Sequence, residues 1–215
     1  MTESALFVTD QETTVCFTGH RSIPPSVRKP LTLALDRSIQ RLVSEGYTSF
    51  LCGGALGFDM LAEEAVIRAR KNNPQIRLIL VIPCAGQPSR WPAEEKKKYS
   101  ELLQQADDCL VLSPKYYTGC MLTRNRYMVD RSSRCICYLY TMRGGTMSTV
   151  QYALQKQIRI DNLAMELFSQ HDGMLKEDAA WNFTSISRSA EKNAVTALSH
   201  PFQIWRRRWN RMLRR

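Results

Sequence analysis

The residues best suited to chemistry stand in one short stretch, where three glycines and two acids follow an apolar segment. They are Gly53, Gly54, Gly57, Asp59 and Glu63. Glycines at a strand-to-helix turn let the backbone pass close to a bound group with its amides free to donate. A carboxylate at the helix start repels a phosphate but suits ribose hydroxyls, so the stretch predicts a nucleotide or nucleoside site that holds phosphate and sugar separately. The alternative is that Asp59 only caps a helix and the glycines only form a tight turn.

The segments that position this stretch alternate between strand and helix patterns. Strands are predicted at 13–18, 48–52, 76–82, 109–112 and 134–140, with a sixth at 158–160. Helices are predicted from about Arg28 to Gly46, where prolines delay the start, and at 59–71, 91–106, 121–132 and 148–157. Strands and helices that alternate in this way predict an α/β fold, a doubly wound, mainly parallel sheet with helices on both faces.

Loops of unusual composition follow the predicted strands. They cover residues 19–21, 53–59, 83–91, 113–119 and 143–146, and the first of them is Gly19, His20 and Arg21. In open parallel sheets, ligands bind outside the carboxyl ends of the strands, where the crossovers change side. The coincidence of these loops with strand ends therefore predicts a composite small-molecule site.

The composition of the chain favours a cytoplasmic globular protein. Its 215 residues are 44% hydrophobic and 23% charged, and its first residues lack a basic cluster of the secretory type. Seven scattered cysteines without a CxxC pair are typical of small buried hydrophobes in a reducing compartment. The three histidines do not stand at ligand spacing to a cysteine, so no metal is predicted, and no separate cofactor either.

The C-terminal tail carries most of the positive charge. Residues 201–215 contain six arginines and no acid, so they supply +6 of the net +10. On a helical wheel one face is apolar, and it consists of Phe202, Trp205, Trp209, Met212 and Leu213. This basic amphipathic helix fits three hypotheses that stay open: binding to an anionic membrane surface, binding to nucleic acid, or packing on the domain or on a partner protein.

The predicted organisation has four parts. A loose leader covers 1–12, an α/β domain 13–163, a polar linker or weak helix 164–200, and the basic helical tail 201–215. The pattern leaves the oligomeric state open.

Five motifs occur in order along residues 13–160. They are TGHR at 18–21, GGALGFDMLAEE at 53–64, IPC at 82–84, YYTGCMLTRNRYMVDRS at 116–132 and GGT at 144–146. Together they closely resemble the YpsA family of the SLOG superfamily, which includes DprA and the Lonely Guy proteins. The resemblance implies a Rossmann-like fold that binds a nucleotide or a nucleotide-derived ligand such as an ADP-ribose derivative. We predict that the protein acts as a sensor or regulatory module.

The resemblance also implies roles for individual residues. Glycines and Thr146 would line the phosphates, Arg21 and Arg124 would pair with them, and Asp59 and Glu63 would hold the ribose. The full predicted ligand-binding set is Gly19, His20, Arg21, Gly53, Gly54, Gly57, Asp59, Glu63, Arg124, Asn125, Gly144, Gly145 and Thr146. Asp130 would help Asn125 to close the site, and Tyr116, Tyr117 or Trp91 would stack on a base. The alternatives are structural: ion pairs for the arginines, solvated helix acids, core aromatics, and a backbone hydrogen bond for His20.

Two other functions stay open at this point. Lonely Guy enzymes cleave the N-glycosidic bond of nucleoside monophosphates with a glutamate in a PGGxGTxxE segment, where this chain has MRGGTMSTVQ with Thr149 at the glutamate position. A nucleotide N-glycosidic hydrolase would therefore depend on Glu63 as its catalytic carboxyl group. A DprA-like nucleic-acid-binding protein would use the arginine-rich tail.

Overall fold

The computed structural model describes residues 9–167, in which six strands alternate with five α-helices and residues 163–167 are helical after the last strand. The strands are β1 (Thr14–Gly19), β2 (Ser49–Cys52), β3 (Arg77–Ile82), β4 (Asp108–Val111), β5 (Arg134–Tyr138) and β6 (Arg159–Asn162). The helices are α1 (Pro25–Ser44), α2 (Phe58–Arg70), α3 (Ala93–Gln105), α4 (Cys120–Asp130) and α5 (Gly144–Gln155). A single 3-10 turn, Gln11–Thr13, precedes β1.

All six strands pair in parallel, in the order β4-β3-β2-β1-β5-β6. The chain builds the sheet outward from β1 to β4 and then returns to the other side of β1 to add β5 and β6. Right-handed crossovers therefore place α1, α2 and α3 on one face of the sheet and α4 and α5 on the other. The predicted Rossmann-like doubly wound fold is confirmed.

The core lies between the sheet and its helices. β2 and β5 are buried along their whole length, as expected of strands covered on both faces. On the α2 face four aromatic rings pack in series, with centroids 6.2 Å apart from Phe17 to Phe50, 6.5 Å from Phe17 to Phe58 and 6.0 Å from Phe58 to Tyr138. This aromatic layer holds the start of α2 against the ends of β1 and β5.

Three predictions about local structure are wrong. α1 begins at Pro25 rather than near Arg28, because a proline at the first helical position has the φ angle that a helix needs and lacks only an amide that would be unpaired anyway. α5 begins at Gly144 rather than Ser148, so residues 144–146 are its first turn. Cys109 is exposed rather than buried, because β4 is an edge strand.

The described residues up to Ala164 form one compact unit. The predicted linker lies almost wholly outside the described residues, and so does the basic helix at 201–215, so the predicted domain bounds stay predictions. Within residues 9–167, no helix is long and apolar enough to cross a membrane. The same residues contain no cluster of three or more metal-ligating side chains.

Candidate functional site

A cleft of about 250 Å³ opens where the carboxyl ends of β1 and β5 lie side by side. The order of the strands reverses at this pair, which makes it the topological switch point where open α/β sheets bind ligands. Its walls come from the end of β1 and from the starts of α2, α4 and α5. The lining residues are Phe17, Thr18, Gly19, His20, Arg21, Ala55, Asp59, Met121, Arg124, Asn125, Gly145 and Thr146.

The cleft brings together eight of the thirteen residues predicted to bind a ligand. They are Gly19, His20, Arg21, Asp59, Arg124, Asn125, Gly145 and Thr146. The other five, Gly53, Gly54, Gly57, Glu63 and Gly144, do not line it. The structure therefore groups the residues after β1, on α4 and on α5, and places most of the first glycine turn behind the cleft wall.

The start of α5 forms part of the cleft wall through Gly145 and Thr146. Arg143 precedes the helix in an extended conformation, and its side chain makes no capping hydrogen bond. Gly145 is exposed, with no heavy atom within 4 Å of the position that a Cβ would take, and Thr146 lies beside it. The first amides of a helix lack intrahelical acceptors and carry partial positive charge, so this part of the cleft suits an anion.

Arg124 connects the cleft to the turn after β2. It is only 4% exposed, and its Nη1 donates to the Gly53 carbonyl oxygen and, at 3.5 Å, to that of Val81. The same Nη1 lies 3.9 Å from Oδ2 of Asp59, and Nε donates to Oδ1 of Asn125 at 2.8 Å. Burial lowers the pKa of Arg124, and Asp59 opposes this shift. Arg124 therefore forms an ion pair between α4 and α2, and it is also part of the cleft wall.

Gly53 is the residue that gives Arg124 its space. A Cβ on Gly53 would lie 1.6 Å from Nη1 of Arg124 and 2.7 Å from Oδ2 of Asp59. Instead of donating amides to a ligand, Gly53 presents its carbonyl oxygen to the guanidinium.

Asp59 is the carboxylate that lines the cleft. It is 5% exposed, and its Oδ2 accepts a hydrogen bond from the Ala55 amide at 3.3 Å. The N-cap of α2 is Gly57, so Asp59 stabilises the preceding turn rather than capping the helix. Burial raises the pKa of Asp59, while Arg124 and the Ala55 amide act in the opposite direction.

Gly57 fixes the loop after β1 against α2. Its φ is +81°, and a Cβ there would lie 2.0 Å from the carbonyl oxygen of Arg21. Beside it, the Phe58 amide donates to the His20 carbonyl oxygen at 3.2 Å. This close backbone contact places His20 and Arg21 on the rim of the cleft.

Glu63 lies one helical turn after Asp59 and is fully buried. Neither of its carboxyl oxygens has a hydrogen-bond partner of good geometry among the described residues. Burial, and secondarily the charge of Asp59, raise the pKa of Glu63 to about 8. The carboxyl group is therefore mainly protonated at neutral pH.

Gln87 belongs to this region although it is part of none of the five motifs. It is buried in the loop after β3, and its Nε2 donates to the carbonyl oxygens of Gly54 and, at 3.3 Å, of Gly53. The only sequence signal was its place in a strand-end loop.

His20 and Asn125 bind protein groups at the cleft. Nε2 of His20 accepts a hydrogen bond from the Thr141 amide at 3.3 Å, and its pKa is lowered by burial and by Arg143, so the ring is neutral at pH 7. Nδ2 of Asn125 donates to Oγ1 of Thr149 at 2.7 Å, which in turn donates to the Gly145 carbonyl oxygen at 2.8 Å. Thr149, at the position of the Lonely Guy glutamate, thus connects α4 to the first turn of α5.

Asp130 and the predicted stacking aromatics do not line the cleft. Asp130 accepts from the Tyr152 hydroxyl at 2.8 Å and pairs with Lys156 at 2.9 Å, at the far end of α4. Trp91 packs edge-on against Tyr99, with ring centroids 5.5 Å apart. The other two predicted aromatics, Tyr116 and Tyr117, are exposed, at 69% and 44%.

Solved structures with this fold include two DNA processing proteins. DNA processing protein A from Helicobacter pylori, which has a single-stranded DNA binding mode, matches 76% of this chain and 80% of its own with a TM-score of 0.50 and 22% identity. DprA from Streptococcus pneumoniae matches 77% of this chain and 56% of its own with a TM-score of 0.50 and 19% identity. At such identities the likeness shows the fold alone.

Relatives by sequence agree with the motif resemblance. A UPF0398 protein of Halalkalibacterium halodurans is 28% identical over 141 residues, which are 65% of this chain and 75% of the relative. The SPbeta prophage-derived protein YoqJ of Bacillus subtilis is 26% identical over 144 residues, which are 59% of this chain and 84% of the relative. The model of the YpsA family, described as the YspA SLOG family, matches residues 25–173, well over half of the chain. The protein therefore belongs to the YspA SLOG family.

Proposed function

We propose that the protein binds a nucleotide or a nucleotide-derived ligand of the ADP-ribose type in the cleft between β1 and β5, and acts as a sensor or regulatory module. The observation that carries the proposal is the meeting of an uncapped helix start with polar side chains at the topological switch point. The phosphate would lie at Gly145 and Thr146, with the exposed Arg21 as its charged partner. Asp59 would accept hydrogen bonds from ribose hydroxyls on the opposite wall.

The size of the cleft supports a particular pose. At about 250 Å³ it is just below the range usual for small-molecule pockets, so it holds a phosphate with its sugar rather than a complete dinucleotide. The rest of a larger ligand would extend over the rim.

The proposed compartment is the cytoplasm. All seven cysteines are free, as in proteins kept in a reducing compartment.

The alternative functions lack a comparable observation. Glu63, on which N-glycosidic hydrolysis would depend, does not line the cleft. Nucleic-acid or membrane binding by the tail concerns residues 201–215, which lie outside the described part of the chain.

Gly145→Asp tests the proposal with the smallest disturbance of the fold. The Cβ of Gly145 would meet no atom within 4 Å, so the added carboxylate points into open space at the helix start. There it repels a phosphate, and we expect calorimetric titration with ADP-ribose and with AMP to show at least about a tenfold loss of affinity. Gly145→Asn is the matched control, since it adds the same shape without the charge.

Three results would contradict the proposal. One is that the wild-type protein binds neither ligand, and another is that Gly145→Asp and Gly145→Asn bind equally well. The third is release of adenine from AMP in the same mixture, which would favour the hydrolase instead.

A further inference from the structure

Glu63 is a buried carboxyl group that the proposed binding site does not use directly. It is fully buried on α2, where the Cys52 thiol and the Gly54 amide lie near it as donors, but neither of its oxygens has a hydrogen-bond partner of good geometry among the described residues. Leaving a polar group unpaired in a protein interior costs free energy, and leaving a charge there costs far more. A side chain kept under these conditions directly behind a ligand cleft calls for a functional explanation.

The groups around Glu63 come from every element that packs against α2. The titratable ones are Cys52 of β2, Asp59 on α2 itself, Tyr99 of α3 and Arg124 of α4. Near this cluster, Phe17 of β1 packs against Phe58 at the start of α2, and Ile82 of β3 lies against Gly54. Asp36 of α1 pairs with the exposed Arg68 of α2. Arg124 is therefore the buried cation in this set, with Asp59 as its partner at 3.9 Å, while the exposed Arg21 also acts electrostatically on both of them from the rim of the cleft.

The charge balance of this cluster depends on one proton. With Glu63 neutral, Arg124 and Asp59 cancel each other. If Glu63 ionised, two carboxylates one helical turn apart would share a single buried guanidinium, and like charges at this spacing repel in a low dielectric. The buried site therefore holds Glu63 as an acid.

We propose that Glu63 is a positioning residue whose bound proton keeps Asp59 and Arg124 in the arrangement that accepts an anionic ligand. The inference rests on the proposed function. Nη1 of Arg124 donates to the Gly53 carbonyl oxygen and also pairs with Asp59. A second carboxylate on α2, the helix that carries Asp59, would therefore compete for this nitrogen. Arg124 and Asp59 both line the cleft, and any shift of either changes its walls. Loss of the proton also adds a negative charge behind the wall that Asp59 forms.

The proposal predicts that binding weakens as the pH rises. Below about pH 8 Glu63 carries its proton, and above it the carboxylate forms, in line with its raised pKa. The pKa of His20 is lowered and that of Cys52 is raised, so neither titrates in this interval. Calorimetry with ADP-ribose, whose pyrophosphate keeps a constant charge here, should show affinity falling by about tenfold from about pH 7 to about pH 9.5.

Two variants separate this effect from other titrations. Glu63→Gln cannot lose a proton, and its own affinity should stay nearly constant across the same interval. Glu64→Gln is the matched control, because Glu64 is the neighbouring half-buried acid bound to Lys98, and it should keep the wild-type slope. Equal slopes in the wild type and in Glu63→Gln would overturn the proposal.

A measurement without ligand tests the positioning role of Glu63 separately from nucleotide binding. In NMR spectra of the ¹⁵N-labelled protein, the Nε signal of Arg124 should shift with a midpoint near the titration of Glu63, and the shift should vanish in Glu63→Gln. If the Arg124 signal of the wild type does not change with pH, the positioning role of Glu63 is refuted even if ADP-ribose binds. If the signal titrates but no nucleotide binds at any pH, the proposed function fails and the coupling of Glu63 to Arg124 stands.

Discussion

At the scale of single residues, the glycines that carry the motif resemblance have different physical functions. Gly53 makes room for the guanidinium of Arg124, whereas Gly57, at φ +81°, lets the backbone of Arg21 approach α2. Gly145 is open to the cleft. A glycine-rich motif shows that side chains are absent, but not whether the space is taken by a ligand or by the protein itself.

Gly53→Ala tests this distinction. The added methyl group would lie 1.6 Å from Nη1 of Arg124, a buried side chain that cannot move away freely. We expect the free energy of unfolding, measured with urea, to fall by about 3 kcal/mol. Gly86→Ala is the matched control, because its Cβ would contact no atom within 4 Å, and it should change stability by less than about 0.5 kcal/mol. Similar unfolding midpoints for the two variants would contradict the packing role of Gly53.

At the scale of helices and strands, the sequence predicted the type of each element better than its start. β3 is a near-continuous apolar run, and this pattern identifies a strand covered on both faces. The starts of α1 and α5 were missed because proline and glycine, usually signs of interruption, stand there at the first helical positions. Because α5 begins at Gly144, Gly145 and Thr146 belong to the first turn of this helix rather than to a separate turn before it.

The two prolines of α1 provide a prediction at this scale. Pro25 is at the first helical position, where its missing amide has no partner to lose, whereas Pro30 lies inside the helix and removes an intrahelical hydrogen bond. We expect Pro30→Ala to raise the free energy of unfolding by about 1 kcal/mol, after the greater freedom of the unfolded chain is included. Pro25→Ala should lower it slightly, by about 0.5 kcal/mol. Thermal unfolding of both variants measures these changes in stability. A Pro30→Ala protein that is less stable than wild type would refute this account.

At the scale of the whole molecule, the order of the strands determines which side chains of the sheet are exposed to solvent. β4 resembles the other strands in sequence, but the chain reverses direction after it and leaves it at the edge of the sheet. Its burial alternates along the strand, and Cys109 is exposed while the other six cysteines are buried. Local patterns do not contain the strand order, so the exposure of Cys109 and the buried contact of Gln87 with the Gly53–Gly54 turn could not be predicted from them.

Thiol labelling measures the exposure of Cys109 on this edge strand directly. Treated with iodoacetamide in the folded state, the protein should gain one adduct rapidly, and peptide mass spectrometry should locate it on Cys109. Partial desolvation by the neighbouring chain raises the pKa of the Cys109 thiol although its side chain is exposed, so the reaction should accelerate as the pH rises. Cys109→Ser should abolish the rapid adduct, and denaturant should expose the remaining thiols. Rapid labelling of several thiols in the native protein would mean that the edge of the sheet opens.

The pairing of β1 with β5 also has a consequence for biosynthesis. The two sides of the cleft are far apart along the chain, as the bond between His20 and Thr141, 121 positions apart, illustrates. A nascent chain that has emerged only as far as β4 contains four adjacent strands of the sheet but lacks the wall formed by α5. A ligand of the proposed kind would therefore have no complete site on the ribosome until translation has passed α5. Any stabilisation that it supplied would reach the protein only in the last stage of its synthesis.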